Sequence, residues 1–539
     1  MLPDHSVLSE FRTSLQWDIL GYLPELILVS GIVGLLLLQI VTSPRRIIVT
    51  TVSVIVLALA LAVLLGIAAS GWSTHLPGSF SGLLQLDPLA NFFRVLLVLF
   101  GGWLVVLTYW SGFPDAEDAA DFYVLLLGGT VGLMLMVSAQ HLLLVFLGLE
   151  MASLPSYMLS GFRRSSRVAS EAALKYAIYG AASAGMALYG ISLLTVAAGS
   201  GDLSRVAAVI LDSRGPSFPI AAAGGLLFLV GLGFKLAAVP FHFWLPDVFT
   251  GATAEVAAFL AVASKAAAVG LGARLIVLLW GLASAEGETV MVLPSLFVLS
   301  LILAAAVTTT VGNLAALTQT ELQRLFGYST IAHSGIMLMG LATMRPEGLI
   351  AVLVYLVGYF PMNLGVFATI ACLRNGTEPV PLQVEDCQGL AWQRPAMGVP
   401  FVVFVMSLLG LPPLAGFVGK FLIFISLYQS STAAFATGAV ALGWGYGVLL
   451  AIGLVNTLIS AGYYLRLARA VGLDAPGEKI REGVLAAESG LAAQPMPAGL
   501  AVYFVLLALA LLMLGLMWAP VLELATRVVA ETSSSSSPF

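Results

Sequence analysis

Four of the chain's five lysines, Lys175, Lys235, Lys265 and Lys420, fall inside long apolar stretches rather than in the polar segments between them. A charge at the centre of a lipid-spanning helix costs roughly 2.5–3.5 kcal/mol on insertion scales, so such residues are read as functional by default. The sequence places one carboxylate, Glu150 in LVFLGLEMASLP, deep in an apolar run. Four bases against one acid leave surplus positive charge unless some amines stay neutral. Removing an ammonium from water favours the neutral amine. Buried lysines of this kind take up and release protons near neutral pH, and the chemistry they predict is proton transfer along a buried path.

The remaining polar residues are weighed against plainer readings. Glu150 is either a protonated structural carboxyl or the charge partner of a lysine on the sixth or seventh apolar run. Lys175 lies four residues after Glu171, a spacing that allows an ion pair on one helix face. Lys235 precedes Pro240 by five residues and His242 by seven; beside a broken helix, His242 is a relay candidate rather than an interfacial histidine. Lys265, in AVASKAAAVG, is too far from either end of its run to snorkel. His333 has Tyr328, Ser329, Thr330 and Ser334 as neighbouring hydroxyls, which suit a structural hydrogen bond and a relay equally. Lys420 follows Pro412-Pro413 and is the candidate for the last proton-carrying group before one exit. Arg94 and Arg274 lie near the ends of their runs, where snorkelling or pairing accounts for them.

These residues must be positioned by membrane-spanning helices. The chain has 539 residues, 60 % hydrophobic and 9 % charged, with a mean hydropathy of +1.01. Ordinary globular domains carry about 25 % charged residues, which excludes a soluble protein. Apolar windows near 20–42, 47–69, 89–110, 122–138, 141–161, 172–197, 219–244, 254–281, 290–317, 325–344, 348–373, 397–428, 440–468 and 500–519 predict fourteen spans. Alternate loops collect twelve and five of the Lys and Arg residues, which places both termini on the non-cytoplasmic side. The first 19 or so residues have no apolar core, so the first span is expected to serve as its own insertion signal.

Pro240 and Pro412-Pro413 interrupt the seventh and twelfth spans. Proline removes a backbone donor, and freed backbone at membrane depth survives only when buried or facing a wet cavity. Five spans separate the two breaks, an odd offset that inverts topology. Spans 4–8 (122–281) and 9–13 (290–468) are therefore expected to be inverted repeats, after a three-span segment (1–121) and before a cytoplasmic loop, last span and short tail (469–539). The loop from Gly472 to Pro497 suits a short amphipathic helix, and the tail SSSSSPF is expected to be disordered. Cys372 and Cys387 have neither disulfide nor metal spacing, and no phosphate loop or haem signature appears, so redox chemistry is not expected on this chain.

Four stretches carry a resemblance: LLVFLGLEMASLPSYML (143–159), KLAAVPFHFWLPDVFTGATAEVAAFLAVASKAAAVG (235–270), GNLAALTQTELQRLFGYSTIAHSGIMLMGL (312–341) and SLLGLPPLAGFVGKF (407–421). Together they resemble the antiporter-like subunits of respiratory complex I, over roughly residues 20–520. EAALKYAIYGAASAGMALYGISLL (171–194) and the YYLRL stretch (463–467) look most like subunit N. The long lateral helix of subunit L has no counterpart here, and subunit M is expected to carry glutamate where Lys420 stands.

The resemblance implies an all-α membrane protein that translocates protons, driven by quinone reduction in a separate arm. Glu150, Lys175, Lys235 with His242, Lys265 and Lys420 match the family's functional positions. NADH, FMN, iron–sulfur clusters and quinone are implied in partner subunits, with no cofactor or metal on this chain. A neighbouring antiporter-like subunit, small membrane subunits and a bacterial plasma membrane are implied as surroundings. Two departures stand out. The family's two prolines before span 8 are replaced within Thr253-Ala254-Glu255-Val256, which puts that loop's rigidity in doubt, and its basic pair before span 10 is Gln323-Arg324. The competing readings are a subunit of a multisubunit cation/proton antiporter and an assembly scaffold whose charges only fix helix packing.

Overall fold

The computed structural model describes residue 16 and residues 18–42, 45–71, 79–212, 214–285, 295–373, 382–474 and 496–535. Most of the loop from Gly472 to Pro497, and residues 1–15 at the amino end, lie outside them. The main helices are α1 (Leu23–Val41), α2 (Arg46–Ser70), α3 (Pro88–Ser111), α4 (Ala119–Ser138), α5 (Leu142–Ser160), α6 (Arg167–Ala198), α7 (Phe218–Leu236) and α8 (Trp244–Gly251). They continue as α9 (Ala254–Ala285), α10 (Ser295–Leu317), α11 (Leu322–Ala342), α12 (Pro346–Leu373), α13 (Pro395–Leu409), α14 (Ala415–Ala436), α15 (Val440–Gly472), α16 (Ala498–Leu516) and α17 (Ala519–Ser535). Among the described residues, 13 helices are long and apolar enough to cross a membrane. The twelfth window, 397–428, resolves into α13 and α14, separated by the Pro412-Pro413 turn.

Helix α9 explains the packing order. Its apolar residues run around the whole cylinder, and a helix of that kind must be enclosed on every side. Its entire apolar window is buried, packed against α3, α4, α11, α12 and α17. Helices α1, α2, α6 and α15 bury only about a third of the residues in their apolar windows or fewer, as helices facing lipid or another subunit do. Glycines allow close approach in two places. A Cβ at Gly148 would sit 2.7 Å from the Met136 nitrogen, where α5 crosses α4, and one at Gly335 would collide with Thr309, where α11 crosses α10.

Bonds between loops repeat at an offset of five spans. Leu142 N donates to Gly201 O (2.7 Å) and Leu203 N to Gln140 O (2.9 Å). Leu322 N likewise donates to Leu382 O (2.8 Å) and Val384 N to Thr320 O (2.9 Å). The first set ties the start of the fifth span to the loop after the sixth, and the second ties the tenth to the loop after the eleventh. This is the pattern two inverted repeats would produce.

Both broken spans end their first half alike. Ala237 has φ +53° and Gly410 φ +92°, and in each case a 6→1 bond closes the turn, Ala238 N to Gly233 O (2.8 Å) and Leu411 N to Met406 O (3.2 Å). Hydroxyls satisfy freed donors at both breaks: Val239 N donates to Thr308 Oγ1 (3.0 Å) and Gly416 N to Ser407 Oγ (3.2 Å). Trp244 fixes the second half of the first break, stacking on Tyr176 at 4.3 Å and donating from Nε1 to Phe234 O. Pro155 and Pro361 also lie mid-span, yet α5 and α12 run through them. A left-handed cap, rather than proline alone, ends the helix.

One expectation is corrected. The tail is expected to be disordered from Ser533, but α17 continues through Ser535, and residues 536–539 lie outside the described residues. Its Ala525, Val528, Val529 and Thr532 are buried, and Thr532 Oγ1 accepts from Leu89 N (3.2 Å) at the start of α3. That turn of helix is held by packing that a run of serines does not advertise. The segment lacking the family prolines is tied down by hydrogen bonds. Thr253 Oγ1 accepts from Val256 N (3.4 Å), Gln323 Nε2 donates to Ala252 O (3.1 Å), and Glu255 is buried in the first turn of α9, where the helix dipole favours a carboxylate.

Candidate functional site

The lysines separate into two groups. Lys235 and Lys265 are each 0 % exposed, and neither Nζ has a hydrogen-bond partner in the protein. Lys235 lies in the last turn of α7, at the first break, and Lys265 in the enclosed middle of α9. Glu150, on α5, is half-buried with its Oε1 unpartnered. It interacts electrostatically with Lys235, and Lys235 in turn with Lys265. His242, at the break itself, is buried with a free Nδ1.

Lys420 is buried beside the second break and is anchored. Its Nζ donates to Leu408 O (2.8 Å) and Leu409 O (3.0 Å), the last carbonyls of α13. A helix C-terminus carries unpaired carbonyls and partial negative charge, so it attracts an ammonium. The two carbonyls also occupy both N–H groups of a neutral amine, leaving its lone pair directed elsewhere. Gly410 makes the room: a Cβ there would sit 3.1 Å from Lys420 Cδ.

His333 sits between two phenols. Its Nε2 is 2.9 Å from Tyr464 OH, and its Nδ1 is hydrogen-bonded to Tyr355 OH. Tyr464 OH also meets Ser329 Oγ at 2.6 Å. Of the hydroxyls the sequence suggested, only Ser329 joins this group, through Tyr464. His333 interacts electrostatically with Lys420. A cavity beside both is lined also by Asn313, Asn456, Thr457, Ser460 and Tyr463, with space for about one water molecule.

Lys175 differs from the expectation of four buried bases. Its side chain is 39 % exposed, and its Nζ lies 2.8 Å from both Glu171 and Asp247. Asp247 also pairs with Arg324 at 2.8 Å, so the network ties α6, α8 and α11 together. Lys175 thus joins Glu171 and Asp247, while Glu150 faces Lys235. The i,i+4 pair was legible in the sequence; Asp247 was not, because it sits in a short helix formed only after the break.

Two acids at the starts of spans are buried as well. Glu25 is buried against Arg94, whose Nε donates to Glu25 Oε1 (2.7 Å). Asp87, buried as the N-cap of α3, holds both terminal nitrogens of Arg274 at 2.9 Å. Pairing, not snorkelling, therefore accounts for both arginines. Cys372 and Cys387 are free, and burial pushes the Cys387 thiol, in the loop before α13, up to about 12. Among the described residues no cluster of His, Cys, Asp and Glu could hold a metal.

Residues 139–443 match the protein family described as the NADH:quinone oxidoreductase/Mrp antiporter transmembrane family. The chain is 36 % identical over 470 residues to NADH-quinone oxidoreductase subunit N of Anaeromyxobacter sp. strain Fw109-5, covering 85 % of this chain and 88 % of that protein. It is 34 % identical to a subunit N of Sorangium cellulosum, covering 94 % and 97 %. The chain belongs to the subunit N family of NADH-quinone oxidoreductase. A chain of respiratory complex I from Thermus thermophilus shares this fold, with a TM-score of 0.73, 34 % identity and coverage of 93 % of this chain and 99 % of that one. A chain of the Mrp complex from Dietzia is alike in fold alone, at 20 % identity and a TM-score of 0.71. As a member of this family, the chain is a multi-pass membrane protein that works within a multisubunit complex.

Proposed function

We propose that the chain moves protons across the membrane through Glu150, Lys235, Lys265, His333 and Lys420, driven by quinone reduction elsewhere in an NADH:quinone oxidoreductase. One observation carries this reading: Lys235, at the first broken helix, and Lys265 are fully enclosed, unpaired and electrostatically coupled to each other. An unpaired buried ammonium is expensive, so proton occupancy at each site depends on the charge of its neighbour. Proton uptake at Lys235 follows the state of Glu150, and a proton on Lys265 opposes one on Lys235. Lys420, with a carbonyl-anchored amine and a polar cavity, suits the terminal position. His242 and His333 are relay groups. The Glu171–Lys175–Asp247–Arg324 network acts as a charged joint through which a neighbouring subunit biases Glu150 and Lys235.

In this reading the chain contributes translocation and no redox centre. NADH, FMN, iron–sulfur clusters and quinone belong to partner subunits. An adjacent antiporter-like subunit and small membrane subunits cover its exposed helices, in a bacterial plasma membrane with both termini outside. The 34–36 % identity to subunit N proteins favours this over a subunit of a multisubunit cation/proton antiporter. The test is proton translocation per electron by the complex in liposomes. Lys235→Ala and Lys420→Ala should each lower it sharply in complexes that still assemble; wild-type stoichiometry in both variants rejects the path.

A further inference from the structure

The cavity beside Lys420 has two chemically different walls. On one side stand Lys420 and His333, groups that accept and release protons, with the His333 nitrogens bonded to Tyr355 and Tyr464. On the other side, where α10 meets α15, the wall is a directed chain of hydrogen bonds. Tyr463 OH donates to Asn313 Oδ1 (2.9 Å), Asn313 Nδ2 to Asn456 Oδ1 (3.1 Å), and Asn456 Nδ2 to Thr310 Oγ1 (3.0 Å). The second hydrogen of each amide goes to its own helix, at Thr309 O and Ile452 O. Both amide NH2 groups are thereby fully engaged, and both residues are buried.

A primary amide is neither acid nor base near neutral pH, so a proton cannot hop through this chain as it can through an imidazole or an amine. With every amide N–H engaged, the pair offers water only the second lone pair of each carbonyl oxygen. The position makes such a block useful. Asn313 lies four residues, about 6 Å along the helix, before Leu317 at the end of α10, where Arg466 holds the Leu317 and Gln319 carbonyls. The adjoining Leu314 and Val455 are exposed, so a single layer of helix separates the pair from the outer surface. A conducting seam here would short-circuit Lys420 to the membrane face carrying the 318–321 loop.

We propose that the Asn313–Asn456 amide pair is a proton barrier that seals the cavity at Lys420 along the α10–α15 seam. This rests on the proton path through Lys420 and His333. Neither asparagine carries protons; both act by position. Asn456→Asp and Asn313→Asp preserve shape but introduce a group that titrates, and Asn456→Leu breaks the link between Asn313 and Thr310 while keeping the seam closed.

The experiment uses the whole complex in liposomes with an imposed pH gradient and no NADH, reading passive proton flux, and then turnover-driven pumping. The aspartate variants should raise passive flux severalfold, while Asn456→Leu stays as tight as the parent and still pumps. Adding Lys420→Ala to Asn456→Asp separates this proposal from the path it rests on: leak that persists there keeps the barrier but removes Lys420 from the route. The barrier is overturned if both aspartate variants are as tight as the parent, or if Asn456→Leu abolishes pumping as expected for Lys420→Ala.

Discussion

At the scale of single residues, what matters is whether a buried charge has a partner. Arg94 and Glu25 are both about 1 % exposed and mutually bonded, and Arg94 also donates to Gly21 O (2.8 Å). Removing one member of a buried pair leaves an uncompensated charge and costs about 3–5 kcal/mol. Glu25→Gln should therefore lower the yield and thermal stability of the assembled complex, and the double variant with Arg94→Met should restore much of both. Equal stability in Glu25→Gln would show that the guanidinium finds another anion. Lys235 and Lys265 present the opposite case, charges with no bonded partner, and that contrast separates functional amines from structural cations. The sequence exposed both kinds as cations in apolar runs but could not sort them. Glu25 sits close to a span's start, and Asp87 and Asp247 stand beside helix ends, where acids attract no notice until the fold brings an arginine or lysine to them. Tyr464 was visible within a quoted stretch, yet its role depends on α15 meeting α11.

At the scale of elements, the two breaks position the site. Prolines revealed their places, and an offset of five spans suggested the repeat. The left-handed caps at Ala237 and Gly410 could not be read from proline, since α5 and α12 carry proline without breaking. Gly410 is the sharper case, because its φ of +92° and its contact with Lys420 both disfavour a side chain. A left-handed L-residue costs roughly 1–2 kcal/mol. Gly410→Ala should thus lower the melting temperature of the complex modestly and, by pushing Lys420 off the Leu408 and Leu409 carbonyls, reduce protons moved per electron. Unaltered pumping would mean that the amine does not need that anchor. Helix α17 was missed because its inward face is small and its end is serine-rich; its stability comes from tertiary contact with α3, α9 and α12 rather than from propensity.

At the scale of the molecule, a fully enclosed helix, α9, carries Lys265 and packs against both halves of the first broken span. The span count, the class and the family were legible because hydropathy in lipid leaves few alternatives. Contacts between distant helices were not, and the site is made of them. Lys265 is the point where the account meets its scaffold rival. If that amine only fixes packing, alanine there reduces assembly and leaves each assembled complex pumping normally. The decisive measurement is therefore protons translocated per electron, normalised to assembled complex, in Lys265→Ala. The account predicts a marked fall in that ratio with quinone reduction still detectable; a ratio equal to the parent's would contradict it.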